Sequence, residues 1–383
     1  MQDYEREITG TRINLCLDCG KCTVVCPVAR YDPEFNPRLI AQRRISRNRN
    51  SVPDETIWSC VNCYMCTERC NYHVNFPEFV RILRAEALDA GAQLHCTHGG
   101  STQALMRLMA RPDLQQKRLD WVPPDIAVSD SKETIFFTGC APYFDVLFSE
   151  LDVHTIDGVR GALRLLNRAR IPFSLLVNER CCGRDLLLQG NREGFRALAM
   201  ANMDEFTARG VKKIITNCPE CYYTLKVDYP GMLGATGIEV VHVTEALGPA
   251  LKSGELTLGQ IEKKVTYHDP CALGRCLRIF DQPRKVLEAI GGLQQVEMEQ
   301  SREKALCCGA SAWVKCGAVN YAIQEQRLLQ ASASGADILV TSCPKCQIHL
   351  ACAQSSRGNK HTRIEIRDLA DLAARSIGGE SVV

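Results

Sequence analysis

From residue 132 to residue 375, short apolar runs alternate with amphipathic stretches. "TIFFTG" (134–139), "FSLLVN" (173–178), "KIITN" (213–217) and "IEVVHV" (238–243) read as buried strands. "VRGALRLLNRA" (159–169) and "FRALAMANMDEFTA" (195–208) read as helices, and the alternation then repeats. This order implies a mostly parallel sheet covered by helices. Further upstream, "PEFVRILRAEALDA" (77–90) places Phe79, Ile82, Leu83 and Leu88 on one face of an amphipathic helix. The region is therefore expected to be helical outside its cysteine loops. Residues 101–131 carry few alternating runs, and "RPDLQQKRLDWVPPDIAVSDSK" holds three prolines and many charges. They predict a linker or wrapping segment, docked by Trp121 on a neighbouring domain. The tail "IGGESVV" is expected to be loose.

The cysteines repeat on two scales. "CLDCGKCTVVC" (16–26) and "CVNCYMCTERC" (60–70) share one spacing. Downstream, "TIFFTGCAP" (134–142) resembles "VTYHDPCAL" (265–273), "CCGRD" resembles "CCGAS", and "IITNCPECYYTL" (214–225) resembles "ILVTSCPKCQIHL" (338–350). Each downstream copy has five cysteines: Cys140, Cys181, Cys182, Cys218 and Cys221, then Cys271, Cys307, Cys308, Cys343 and Cys346.

Composition narrows the chemistry. Hydrophobic residues make up 45% of the 383, enough for ordinary globular cores in two or three domains. The net charge of +2 gives no pull toward nucleic acid, and "AQRRISRNRN" (41–50) reads as a solvated face or loop. No run is long and apolar enough to span a membrane, and residues 1–16 lack the apolar core of an export signal. A cytosolic protein is expected, held at a membrane only through a partner. In that compartment 22 cysteines point to thiolate ligands rather than disulfides.

The upstream repeat follows the bacterial two-cluster ferredoxin pattern, in which the distant cysteine of each run serves the other cluster. Cys16, Cys19, Cys22 and Cys70 are expected to hold one 4Fe–4S cluster, and Cys60, Cys63, Cys66 and Cys26 the second. Pro27 follows Cys26 as in that pattern, whereas Asn71 stands where the second proline would be. A pair of zinc sites is the competing reading, and it explains the duplicated spacing poorly.

In the downstream set, Cys140, Cys218 and Cys343 end apolar runs, and Cys271 follows one after "HDP". Ligand sites of parallel sheets lie at that carboxyl edge. In "CPEC" (218–221) and "CPKC" (343–346), a proline after the first cysteine predicts a helix N-terminus, where the dipole favours thiolate. Neighbouring side chains of extended backbone point apart, so bringing Cys181 with Cys182, or Cys307 with Cys308, onto one group needs a sharp turn. Gly183 and Gly309 permit it. Five thiolates at one site suggest an open or irregular cluster with a bridging sulfur. A vicinal disulfide, plain buried thiols and a thioredoxin-type CxxC pair remain as alternatives. Cys96, Cys276, Cys316 and Cys352 fall outside both patterns and are expected to be packed thiols, with Cys316 the best exception. His268 is expected either to donate to a cluster sulfur or substrate, or to fix the turn before Cys271.

Two CCG motifs, each with a lone cysteine upstream and CPxC downstream, resemble the catalytic iron–sulfur subunit of heterodisulfide reductase. The preceding two-cluster repeat makes the chain similar to the form in which ferredoxin-like and CCG subunits are fused. The resemblance implies an α-helical ferredoxin-like domain (1–100) with two cubane clusters, a linker (101–131), and duplicated α/β CCG domains (132–252 and 253–383). It implies one non-cubane 4Fe–4S cluster on Cys140, Cys181, Cys182, Cys218 and Cys221. A second would sit on Cys271, Cys307, Cys308, Cys343 and Cys346, the two facing each other where a disulfide is split. No catalytic residue beyond these cysteines is assigned.

Electrons are expected to enter from a flavoprotein or other redox subunit. "GVRGAL" (158–163) lacks the strand-turn context of a dinucleotide fingerprint, so the chain is expected to borrow its flavin or nicotinamide from a partner. Relatives of this architecture also serve as electron-transfer subunits of glycolate, lactate and glycerol-3-phosphate dehydrogenases and of flavin-based bifurcating complexes. A relay with no substrate of its own is the second expectation.

Overall fold

The computed structural model describes residues 4–46, 55–130, 132–356 and 363–378. Residues 47–50 of the basic stretch, and the tail from residue 379, lie outside the described residues. Strands β1 (Thr134–Phe136), β2 (Lys213–Thr216) and β3 (Glu239–His242) form one parallel sheet in the order β1-β2-β3. Strands β4 (Lys264–His268), β5 (Gln294–Gln295), β6 (Ile338–Thr341) and β7 (Glu365–Asp368) form a second, in the order β5-β4-β6-β7 and again parallel. Central strands such as "ILVT" are buried along their whole length, because helices cover both faces.

The run at 173–178 is not the strand its apolar pattern predicts. Only Ser174 pairs, through a single parallel bridge to Ile135. Leu175 and Leu176 are buried in the core, and the chain then turns out of the ladder toward Cys181. The bridge flanks β1 as β5 flanks β4, so the sheets keep a common order.

The halves join through helices Thr155–Arg168 and Leu369–Gly378. A Cβ on Gly161 would lie 2.4 Å from the carbonyl oxygen of Ala370, and one on Gly158 would lie 2.5 Å from the Asp368 side chain. The glycines of "GVRGAL" thus serve helix packing.

Helix Phe76–Asp89 begins at Asn75, whose side chain accepts from the Glu78 N–H, with Pro77 in the first turn. Phe79, Val80, Ile82 and Leu83 are buried in a core that also contains Leu306, Ile323 and Leu350 of the second half. The same helix meets the first half at Gly190 (φ +90°), where a Cβ would lie 2.5 Å from the Ala85 nitrogen. The N-terminal region is therefore wedged against both halves. Within 101–131, helix Ser101–Met109 buries Met106 and Met109 in the core of the first half. Trp121 packs partly buried, and its carbonyl accepts from Arg160.

Candidate metal centres

In the N-terminal region Cys16, Cys19, Cys22 and Cys70 line one cavity of about 220 Å³, with Cys66 at its wall. Cys26, Cys60, Cys63 and Cys66 line a second of about 20 Å³. The two loops curl alike. Asp18 and Asn62 take left-handed backbone (φ +56° and +46°), as do Gly20 and Tyr64 two residues on (φ +77° and +62°). Short helices Lys21–Val25 and Met65–Glu68 follow. Arg84, fully buried, fixes the inner loop by donating to the carbonyls of Ile57 and Cys60 and to Asn62 Oδ1. It also reaches the Leu188 carbonyl of the first half at 2.8 Å. The outer loop is open: Cys19, Leu17 and Val24 are exposed, whereas Cys60, Cys63 and Cys66 are buried.

The five thiols of the first half form a chain. Cys140 Sγ lies 3.1 Å from Cys181 Sγ, Cys181 contacts Cys182, Cys182 contacts Cys221, and Cys221 contacts Cys218. Gly183 at φ +82° makes the turn, and its N–H donates to Cys181 Sγ at 3.4 Å. The second half repeats the order, through Cys271, Cys307, Cys308, Cys346 and Cys343, with Gly309 at φ +83°. Cys218 and Cys343 each cap a helix whose first residue is proline.

The surroundings of the two sets differ. Arg327 Nε donates to His268 Nδ1 at 2.9 Å. That leaves the proton of the neutral ring on Nε2, and the ring bonds to Cys308. Burial keeps His268 below its ordinary range. Hydrogen bonds from Cys307, then Cys346 and His268, push the Cys308 thiol well down. In the first half Phe137 stands where β4 has His268, and Cys181, Cys182 and Cys221 are all pushed up, chiefly by neighbouring thiols. Of His268's two expected roles the geometry fits donation toward sulfur.

The sets meet one another and the N-terminal region. The Cys63 thiol is within hydrogen-bonding reach of Cys307, a contact that, with Arg275, lowers Cys63 to about 6. Lys345, between Cys343 and Cys346, bonds Asp185 at 2.5 Å and Glu220 of the other half. Cys271, Cys308, Cys343, Cys346, Arg184 and Glu220 line the small cavity between the halves.

The remaining cysteines scatter. Cys96 is exposed, and Cys276 lines the cavity between the halves. Cys316 sits near Cys352 rather than joining the five thiols. Burial and then Cys352 push it up to about 11. Sequence reasoning missed the arginines and Lys345 at these sites, since each acts on residues far along the chain. It also missed Ala312 and Trp313, left-handed at φ +57° and +55° just after the second CCG. Gln189 and Gln103 of other elements hold their carbonyls. No signal in a single sequence marks that strain.

The donor sets suit iron–sulfur groups. Thiols alone provide the metal-binding atoms around the N-terminal cavities, and the outer one has room for more than a single ion. Family models agree. A 4Fe-4S dicluster domain matches residues 12–74, and a cysteine-rich domain termed CCG matches residues 134–226 and 265–351. The fold and site thus define an oxidoreductase-type iron–sulfur protein that carries 4Fe–4S clusters. More narrowly, the chain belongs to the heterodisulfide reductase family, among its iron–sulfur subunits. It is 30% identical to such a subunit from the dihydromethanophenazine:CoB–CoM heterodisulfide reductase of Methanosarcina mazei, over 96% of this chain and 95% of that one. It is 28% identical to the EtfAB:quinone oxidoreductase of Syntrophomonas wolfei and 30% identical to the iron-sulfur-binding oxidoreductase FadF of Bacillus subtilis. Those alignments cover 88% and 90% of this chain but 55% and 49% of the longer relatives. A solved Helicobacter pylori protein shares the fold at a TM-score of 0.57 and 12% identity, over 92% of this chain and 70% of its own. No helix among the described residues is long and apolar enough to cross a membrane.

Proposed function

We propose that this chain takes electrons from a flavoprotein or other redox subunit and delivers them to a disulfide bound between its two halves. In this reading residues 1–100 hold two cubane clusters, the outer on Cys16, Cys19, Cys22 and Cys70 and the inner on Cys60, Cys63, Cys66 and Cys26. Residues 101–131 wrap the domains together. Residues 132–252 and 253–383 each hold a non-cubane cluster through their five cysteines. When bound, such groups supply one-electron carriers and, in the two halves, iron that takes sulfur.

The observation that carries this reading is the contact of Cys63 with Cys307. It brings the inner thiols of one domain directly against the reactive thiols of another. The chain's own residues then have defined tasks. The exposed outer loop meets the partner, and the buried inner loop excludes water. His268 holds a proton at Nε2 beside Cys308. Lys345 fixes the second half against Asp185 and Glu220 of the first. Reducing a disulfide consumes two electrons and two protons and yields two thiols, and the partner supplies the electrons. The test is anaerobic: the protein, reduced with dithionite, is mixed with disulfides while its spectrum is followed. Reoxidation with release of thiol is expected, and no response to any disulfide sinks the proposal.

A relay without its own substrate is the second reading. The cavity between the halves measures only about 20 Å³, and two relatives are named as a quinone oxidoreductase and an iron-sulfur-binding oxidoreductase, with no mention of a disulfide. Reoxidation by a quinone-linked partner complex, without response to disulfides, would favour it.

A further inference from the structure

Arg275 breaks the symmetry of the repeats. It follows Cys271 by four residues, and Phe144 stands at the matching distance from Cys140. Its side chain is 4% exposed. Nε donates to the Cys63 carbonyl at 2.6 Å and Nη1 to the Ala305 carbonyl at 2.5 Å, while Nη2 has no partner. Among the described residues no carboxylate pairs with this guanidinium, in contrast to the buried pairs Arg118–Glu179, Arg184–Asp228 and Arg284–Asp269. The groups that face it electrostatically are thiols: Cys63, Cys271, Cys307 and Cys276.

A buried cation without a counter-ion is strongly unfavourable. Two neutral carbonyls do not balance a full charge, so negative charge must come from the sulfur side. Cys63 belongs to the inner N-terminal thiols, and Cys271 and Cys307 to the second five. Arg275 therefore lies at the junction where these sets touch, with one unfilled donor.

We propose that Arg275 is a positioning residue that joins these two sets and raises the reduction potential of the iron–sulfur groups they hold. The proposal rests on the thiol assignment made under the proposed function. Adding one electron to a thiolate-held group adds one negative charge, with no bond made and no proton needed. A fixed positive charge in low-dielectric surroundings stabilises that more negative state. The first half has Phe144 at this place, so its group gains no such bias. The second half becomes the thermodynamically favoured landing point for electrons leaving the inner N-terminal group.

The experiment is a redox titration of the full, anaerobically purified holoprotein with dithionite as donor, followed by electron paramagnetic resonance, for wild type, Arg275→Gln and Arg275→Lys. Iron and sulfide are counted for each. The expected result for Arg275→Gln is wild-type iron content with at least a tenfold fall in the reduction equilibrium, about 59 mV per one-electron step. Arg275→Lys, which keeps the charge, should restore the potential. A fully loaded Arg275→Gln protein with unchanged midpoints overturns the proposal. If Arg275→Gln does not load, Arg275→Lys decides: loading with wild-type midpoints supports it, and loading with midpoints as low as the tenfold criterion overturns it. Loss of iron in both variants assigns Arg275 to folding alone and also overturns it. A wild-type protein without iron–sulfur signals instead sinks the proposed function, whatever the variants do.

Discussion

Lys345 Nζ donates to Asp185 Oδ1 at 2.5 Å across the junction of the two cysteine-rich halves. Lys345 also bonds Glu220, so one buried ammonium serves two carboxylates. Replacing it with methionine leaves both acids uncompensated in a site under a tenth exposed at Lys345 and Asp185. Lys345→Met is expected to destabilise the protein by about 3–5 kcal/mol. Anaerobic urea unfolding measures this, and a midpoint equal to wild type would show that the pair does not hold the halves.

Helix packing offers a cleaner test. Gly161→Ala drives a methyl group into the Ala370 carbonyl, a backbone atom that cannot rotate away. The expected loss is about 1–3 kcal/mol. Gly248, inside helix Val243–Ser253, faces open space, and Gly248→Ala should gain about 0.5–1 kcal/mol from helix propensity. Denaturation midpoints moving in opposite directions would bear out the distinction between close approach and mere flexibility.

Iron content separates ligand thiols from packed ones. Cys63→Ser is expected to lose up to about four irons, one cluster's complement, whereas Cys96→Ser, at an exposed thiol outside every group, should lose none. Iron and sulfide assays on anaerobic protein decide this, and equal iron in both variants would remove Cys63 from the ligand set.

Asp368 ends β7, and its carboxylate accepts from the Ala370 N–H. Burial pushes its carboxyl up to about 7, against that hydrogen bond, with Asp371 and Asp157 adding to the rise. A folded-state pKa above the unfolded one means that the native protein binds the extra proton. The resulting stability is present in full below about pH 4 and is lost as pH climbs through 7, at up to about 1.4 kcal/mol per pH unit. Asp368→Asn keeps an acceptor for Ala370 and removes the titration. The difference in unfolding free energy between wild type and variant should therefore shift in favour of the variant from pH 5.5 to pH 8. A pH-independent difference would contradict the burial of an ionisable Asp368.

Much of this molecule is legible in its sequence because thiols and glycines carry local rules. The CCG turns need left-handed glycine, and Gly183 and Gly309 adopt it. The prolines of CPEC and CPKC open helices, as their fixed backbone angle favours. The run at 173–178 misleads, since Leu175 and Leu176 are buried by packing without a ladder, and apolar character alone does not distinguish the two. "GVRGAL" is rightly set aside as a nucleotide loop, but its role against Ala370 depends on a helix some two hundred residues later. Arg84, Arg275, Arg327 and Lys345 look like ordinary surface charges in sequence. Their burial follows from contacts between domains, which no local pattern encodes.

The graded exposure of the thiols also bears on how the molecule meets air. Dioxygen can collide with the open rim around Cys19 without any opening of the fold, whereas Cys63 and Cys307 lie beneath packed side chains. Aerobic handling should therefore bleach the outer end first, leaving a protein that still holds colour in its interior but can no longer be charged from outside.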